Sequence, residues 1–388
     1  MEVELHSSIS AVDETEWDEV AGNDILARHA WLATVEESLS EPAEFLYLLA
    51  REKGRLVGAA SCYTSASRFS GLNRFYGRAA PIARAAGLGI DRAIVVGSRF
   101  GLSDPLLLHE VLSTSDRERV ARELITAVLV QAEQRNAAII VRNADGEPYA
   151  SALKTLLFQP TPELPTAYLD IVWTTVADYR AALKTVHPAT AKAIRNVANR
   201  AARDGTTVER ITDPRSCTPD LHKLFDDHYR RLNGTGFPFS RTFLANALQR
   251  LGDQAVLIVA RNREAVVGVD FRLTHGGLSR SLLIGIDGER GRESTAYFHL
   301  INDSITRAIE SGESRLYAGR LAYDVKLRRG YSLANSTMWV RGRTALQRAV
   351  LGAFVALRSR HMRRMIEKLQ PAASANAAAM SGARGKTA

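Results

Sequence analysis

The chain has 388 residues, 46% of them hydrophobic and 24% charged, a length that predicts two soluble domains. Its net charge of +9 and pI near 9.7 suit an anionic partner without choosing among a phosphorylated cofactor, RNA and a membrane surface. No apolar run reaches the ~20 residues of a membrane span, and Cys62 and Cys217 lie too far apart in sequence for a disulfide framework or metal-ligand spacing.

The chain begins MEVELHSSISAVDETEWDEV, an acidic stretch unlike a signal peptide, and a cytoplasmic location is expected. Cys62 sits in an apolar run and reads as core. Residues 46–59 (LYLLAREKGRLVGA) predict a hairpin, and 256–269 (VLIVARNREAVVGV) repeat it. Ala50-Arg51 matches Ala260-Arg261, and Val57-Gly58 matches Val267-Gly268. A second ordered match follows, LITAVLVQAEQRNAAIIV (124–141) with LINDSITRAIESGESRLY (300–317). Each of these reads as an amphipathic helix, a left-handed cap at Asn136 or Gly312, and a buried strand. Strands at 166–173 and 336–341 close the two halves. Each half thus predicts an α/β (α+β) unit with a mixed sheet flanked by helices.

Between the halves, 188–204 (PATAKAIRNVANRAARD) predicts a helix ended by Gly205, then a strand, TTVERI. Helices fit 218–232 and 240–251, separated by the turn GTGFPF. The stretch 341–370 carries eight Arg and Lys against one Glu, and a helix is expected at about 343–368. The tail from Pro371 reads as low-complexity and disordered. The expected division is 1–173, 174–342, a basic amphipathic helix at 343–370, and a disordered tail at 371–388.

Three pieces of this layout resemble the Fem-type, BioF2-like branch of the GNAT acyltransferases, which carries two GNAT units per chain. They are AIRNVANRAARDGTTVERI, LIVARNREAVVGVDFRL and AIESGESRLYAGRLAYDVKLRRGYSL. The resemblance spans roughly residues 20–342. It implies an N-acyltransferase that forms an amide on a small-molecule or peptide-like amine. The donor would be an acyl-CoA, a carrier thioester or an aminoacyl-tRNA, acting as co-substrate, with no tightly bound cofactor, no metal and no DNA partner. The usual CoA-gripping motif, Gln/Arg-x-x-Gly-x-Gly/Ala, is incomplete in GERGRESTAYFHL (288–300). Arg290, Gly291 and Arg292 are the residues left to hold a donor phosphate.

The resemblance places the reacting centre in the second unit, beside a splayed fourth strand expected at SRSLLIGIDG (279–288). Lys326, in a Lys-x-x-x-Gly element, would stabilise developing negative charge; the competing reading is a solvated lysine beside Arg328 and Arg329. Asp287 would take the amine proton, with Glu289 beside it, against the reading of both as ordinary turn carboxylates. Tyr297, His299 and Asn302 open the next helix and are candidates for the pocket lining. Arg272 interrupts an apolar strand and needs an anionic partner, Asp270, Asp287 or a substrate carboxylate. Arg320 and Tyr323 lie near Lys326, and Tyr229 and Phe237 flank the GTGFPF turn as wall or as plain packing. The basic C-terminal helix has three readings: tRNA contact, membrane-surface contact, or packing on the second unit, the last being favoured. The rival class is a non-catalytic GNAT-like protein that binds RNA or an anionic membrane.

Overall fold

The computed structural model describes residues 1–66, 92–146, 149–293 and 295–382. The first half contains β1 (Glu2–His6), α1 (Glu14–Ala21), α2 (His29–Ser38), β2 (Phe45–Glu52), β3 (Arg55–Ala66), β4 (Arg92–Val96) and β5 (Leu107–Leu108). It continues through α3 (Thr114–Gln134), β6 (Ala138–Val141), α4 (Tyr149–Thr155) and β7 (Gln159–Pro162). The second half begins with β8 (Thr166–Asp170), α5 (Val176–Val186), α6 (Pro188–Asp204), β9 (Thr206–Ile211), α7 (Pro219–Asn233) and α8 (Phe243–Leu251). Then come β10 (Ala255–Asn262), β11 (Ala265–His275), β12 (Leu278–Ile286), α9 (Arg290–Glu293), α10 (Ala296–Glu310) and β13 (Arg315–Tyr317). The chain ends with α11 (Tyr323–Leu327), β14 (Ser332–Ala334), β15 (Thr337–Arg341) and α12 (Ala345–Gly382).

These elements form two mixed sheets. One runs β1-β2-β3-β4-β6-β15-β7 with β5 on β3, and the other runs β14-β8-β13-β12-β11-β10-β9. The sequence repeat has a physical cause in both. The β2–β3 hairpin shifts register at Ala50/Arg51, and the β10–β11 hairpin shifts at Ala260/Arg261. The matched Ala-Arg pairs are therefore matched bulges. The matched glycines leave room for a helix. A Cβ on Gly58 would stand 2.7 Å from Val120 of α3, and one on Gly268 3.1 Å from Leu300 of α10. The predicted caps also hold, with φ of 51° at Asn136 and 64° at Gly312.

The closing strands depart from the expected boundaries. β8, from the end of the first half, pairs with β13 and β14, whereas β15, from the end of the second, pairs with β6 and β7. The compact units are therefore residues 1–37, 41–164 and 335–366 on one side, and 38–40, 165–334 and 367–388 on the other. Placing each closing strand with its own half, at 1–173 and 174–342, is corrected by this exchange. Hydropathy marks a strand as buried but does not say in which sheet.

In the first unit, Val120, Leu124, Ile125 and Val128 of α3 bury against Leu46, Leu48, Val57, Ile94 and Ile139. Leu351 and Val355 of α12 cover Tyr63, Val95, Ile140 and Val340. In the second, Ala296 and Leu300 pack on Ile258 and Val267, and Ile301, Ile305 and Ile309 on Leu169, Leu316 and Leu333. The tail is not disordered as far as Gly382. Residues 371–382 continue α12, because Ala373 and Met380 bury in the second unit's core. The stretch 345–366 packs on the first unit, contrary to the expected packing on the second. No described helix is long and apolar enough to cross a membrane.

Candidate functional site

The second unit's sheet opens where the fourth strand meets the fifth. β12 has nine residues, but only Leu278, Ser279 and Arg280 pair with β13. Leu282 is an extra residue against β11, which pairs Phe271 with Leu283 and Arg272 with Ser281. Beyond this bulge the main-chain direction follows from alternation. The Asp287 N–H donates to the Val267 carbonyl, so 283 and 285 also face β11. Ile284 and Ile286 therefore turn their N–H and C=O toward the open side, where no strand among the described residues receives them. The Arg231 guanidinium takes the Ile286 carbonyl. Gly285 lets α7 close on this strand, since a Cβ there would sit 3.1 Å from the Leu224 and Phe225 backbone.

Beneath the open edge lies a polar interior that sequence reading did not assemble. Asp270 is 1% exposed; its two oxygens accept from Ser281 Oγ at 2.7 Å and Ser304 Oγ at 2.9 Å. Burial pushes its carboxyl up to about 6, opposed by the two serine hydrogen bonds. It ties β11, β12 and α10 together. An Asp among valines in a strand was the available signal, but its serine partners lie 11 and 34 residues away.

Lys326 is 4% exposed, so the reading as a solvated lysine is corrected. Its Nζ donates to the carbonyls of Ala318 at 2.6 Å and Leu321 at 2.8 Å, with those of Gly319 and Arg320 at 3.4 and 3.3 Å. Burial lowers its pKa to about 8, with Asp270 acting the other way. The loop it holds needs holding, because Gly319, Leu321 and Ala322 have φ of 64°, 70° and 49°. Tyr323 donates to the Pro165 carbonyl at 2.7 Å.

Arg272 has found its carboxylate, and it is none of the expected ones. Glu313 accepts from it through both oxygens at 2.5 Å, with Ser279 Oγ and the Ser304 carbonyl alongside. Both side chains are buried, which makes Arg272 a structural ion pair and not a substrate ligand. Asp287 caps the turn into α9, its Oδ1 accepting from the N–H groups of Glu289 and Arg290 at 3.0 and 2.7 Å. Oδ2 has no partner among the described residues. Glu289 and Arg290 are exposed. A Cβ on Gly291 would lie 2.5 Å from Ile286 Cγ2 and 3.0 Å from the Val267 carbonyl, so glycine is there for packing. The side chain of Arg292 lies outside the described residues.

Asn302 accepts from Arg329 Nε at 3.1 Å. Tyr297 is held above its usual pKa by burial and lies edge-on to Phe298. His299 is half-buried and its pKa is lowered by burial; its Nε2 lies 3.3 Å from Thr295 Oγ1. The Nε of Arg320 is buried, and its carbonyl accepts from Lys326. Phe237 belongs to an aromatic cluster with Tyr229, Phe225, Phe239 and Phe243, which is ordinary packing. Burial raises both thiols, Cys62 strongly and Cys217 to about 11, so neither is a ready nucleophile. Among the described residues no His, Cys, Asp or Glu group has the makings of a metal site.

A cavity of about 460 Å³ adjoins α9, lined by Arg203, Arg263, Arg290, Asp204, Asn262 and Val267 among others. Three guanidinium groups around one hollow suit an anionic ligand.

Residues 189–327 match the family model of the GNAT acetyltransferase domain. The chain is similar in structure to FemX, with a TM-score of 0.55 at 14% identity over 87% of this chain and 97% of that one. It is also similar to L-PGS from Bacillus licheniformis, with a TM-score of 0.52 at 13% identity over 90% and 97%. The C-terminal domain of a putative lysylphosphatidylglycerol synthetase from Agrobacterium fabrum gives 0.52 at 12% identity over 89% and 96%. No curated protein matches the sequence. The fold is that of the GNAT superfamily in its Fem-like form, two tandem units of mixed sheet and helices, as the sequence resemblance implied.

Proposed function

We propose that this protein is an N-acyltransferase that forms an amide on a small or peptide-like amine, with its reacting centre at the open edge of β12. The observation that carries this reading is the parting of β12 from β13 after Arg280, which leaves the Ile284 N–H facing outward. A fixed main-chain donor is what an acyl carbonyl needs as negative charge builds on its oxygen. Lys326 sets the loop at 318–321 and adds positive charge nearby. Asp287 Oδ2 accepts the proton that the amine sheds on attack, so the amine loses a proton as the C–N bond forms and the donor's leaving group departs.

The arginine-lined cavity supports a donor that carries phosphate. Acyl-CoA, a phosphopantetheine carrier thioester and aminoacyl-tRNA all meet that requirement. Such donors go with a cytoplasmic site of action. A non-catalytic role on an anionic membrane draws less support, because Leu351, Val355 and Met362 of α12 are buried, which leaves Leu346 and Leu357 as the exposed large apolar side chains among its described residues.

The test is direct. Purified protein is mixed with each donor class and a panel of amines, and amide products are sought by mass spectrometry. A product with one donor class selects among the three, and none with any class removes the enzymatic reading. Salt-dependent tRNA binding without product would favour the RNA-binding alternative. A folded Lys326→Ala form as active as wild type would remove the role given to that lysine.

A further inference from the structure

The second unit contains a buried arginine with no counter-ion among the described residues. Arg329 is 4% exposed. Its Nε donates to Asn302 Oδ1 at 3.1 Å, its Nη1 to the Val325 carbonyl at 3.0 Å, and its guanidinium lies 5.4 Å from the centre of the Phe298 ring. All three partners are uncharged. The side chains that act on its charge are the phenols of Tyr179, Tyr331 and Tyr297. Asp324 is already paired with Arg328 at 2.8 Å. Among the described residues no carboxylate lies within ion-pair distance of Arg329. The same unit neutralises its other buried guanidinium fully, through Arg272 and Glu313. Leaving a charge buried without its opposite costs several kcal/mol, on the order of what a pairing partner returns.

Arg329 borders a cavity of about 330 Å³ between α6, α10 and α11. Thr190, Ala193, Val197, Phe298 and Val325 form its walls. The hollow exists because α6 presents small residues there, Ala189 and Ala193 one turn apart. Thr190 is 9% exposed, and its hydroxyl has no partner among the described residues. A cation without an anion and a free hydroxyl thus share one hollow whose remaining walls are mostly apolar. Arg328 and Asp324 stand at the same cavity and neutralise each other.

We propose that this cavity is a subsite for a small oxyanion, a carboxylate or a phosphate group carried on a short apolar stem. Arg329 supplies the charge, Thr190 a hydrogen bond, and the alanine and valine walls receive the stem. It differs from the arginine-lined hollow at α9, which shares no lining residue with it. A carboxylate would point to an amino-acid-like acceptor and a phosphate to a portion of the donor. The site itself does not depend on acyl transfer.

The experiment titrates the full chain with inorganic phosphate and, separately, with butyrate at constant ionic strength, chloride being the balancing anion. Calorimetry and the rise in melting temperature are read together. Wild type is expected to bind one of the two saturably at a single site. Arg329→Gln and Ala193→Phe, which fills the hollow without touching the arginine, should each weaken that binding at least tenfold. Thr190→Val should weaken it less. If Arg329→Gln fails to fold, Ala193→Phe and Thr190→Val decide. Absence of saturable binding by both anions, or equal binding by wild type and Ala193→Phe, overturns the subsite. Because no turnover is measured, either result leaves the acyl-transfer reading to its own test. Preference for butyrate or for phosphate identifies the carboxylate or the phosphate source.

Discussion

The two units treat the same strand junction in opposite ways. In the first, β4 lies parallel to β6 over four pairs, Ala93–Val96 with Ala138–Val141, so pairing runs to the end of the strand. In the second, three residues of β12 meet β13 and the remaining six diverge. The side chains follow the backbone. Ala60 and Cys62 of β3 and Ala93, Ile94, Val95 and Val96 of β4 are apolar and buried, whereas the corresponding strands of the second unit, β11 and β12, hold Asp270 and Arg272, and Ser279 and Ser281. A closed ladder satisfies its own main chain and needs only apolar packing. An opened one leaves polar groups that a ligand can use, and the protein braces it with buried ion pairs and hydrogen bonds.

The largest expected effect separates these junctions with one residue type. Ile284→Pro removes an outward N–H and no bond to β11, so the protein should fold, as circular dichroism would show, while amide formation falls about 100-fold or more. Val95→Pro falls within a strand paired on both sides and should prevent folding of the first unit. A folded Val95→Pro form, or a fully active Ile284→Pro form, would break the contrast.

Next in size is the brace. Arg272→Met should destabilise the second unit by about 3–5 kcal/mol in urea unfolding, because Glu313 is left buried and alone. Arg272→Met with Glu313→Leu should recover much of that loss. If the single and double replacements lose the same stability, the pair is not what holds the opened sheet.

Gly291→Ala should lose roughly 1–3 kcal/mol, since the new methyl meets Ile286 and the Val267 carbonyl. Gly288→Ala meets nothing nearer than Arg231 at 3.4 Å and should be close to neutral. Equal effects would mean that α9 does not press on the sheet as described.

The smallest expected effect is one of pH. Asp270 titrates near 6 when folded and near its ordinary 3.8 when unfolded. Between these values the folded state holds more protons, so this residue's contribution is complete below pH 3.8 and declines as pH rises through 6. Asp270→Asn should flatten that part of the stability curve measured by urea unfolding from pH 4 to 7. An unchanged curve would place the titration elsewhere. The first unit has no counterpart to Asp270 in the facing strand, where Ala60 occupies the position that pairs with Leu48.

Much of the architecture was legible because it is local. The paired Ala-Arg bulges, the glycines under a crossing helix, the caps at Asn136 and Gly312, and α6 with its Gly205 stop are all set by residues close in sequence. The splayed strand was legible only through the family resemblance. The Lys326 element was recognised as a motif, but its grip on four carbonyls depends on how the loop folds back over it.

The sequence by itself determined two repeated α/β units, because periodicity, bulges and caps are properties of neighbouring residues. Only the tertiary structure decided which sheet each closing strand joins, that Glu313 and not Asp270 answers Arg272, and that Arg329 faces a hollow whose lining carboxylate, Asp324, pairs with Arg328 instead. Those are choices among distant partners of similar chemistry. They are settled by burial and geometry, since a charge removed from water must take whatever partner the fold brings within reach.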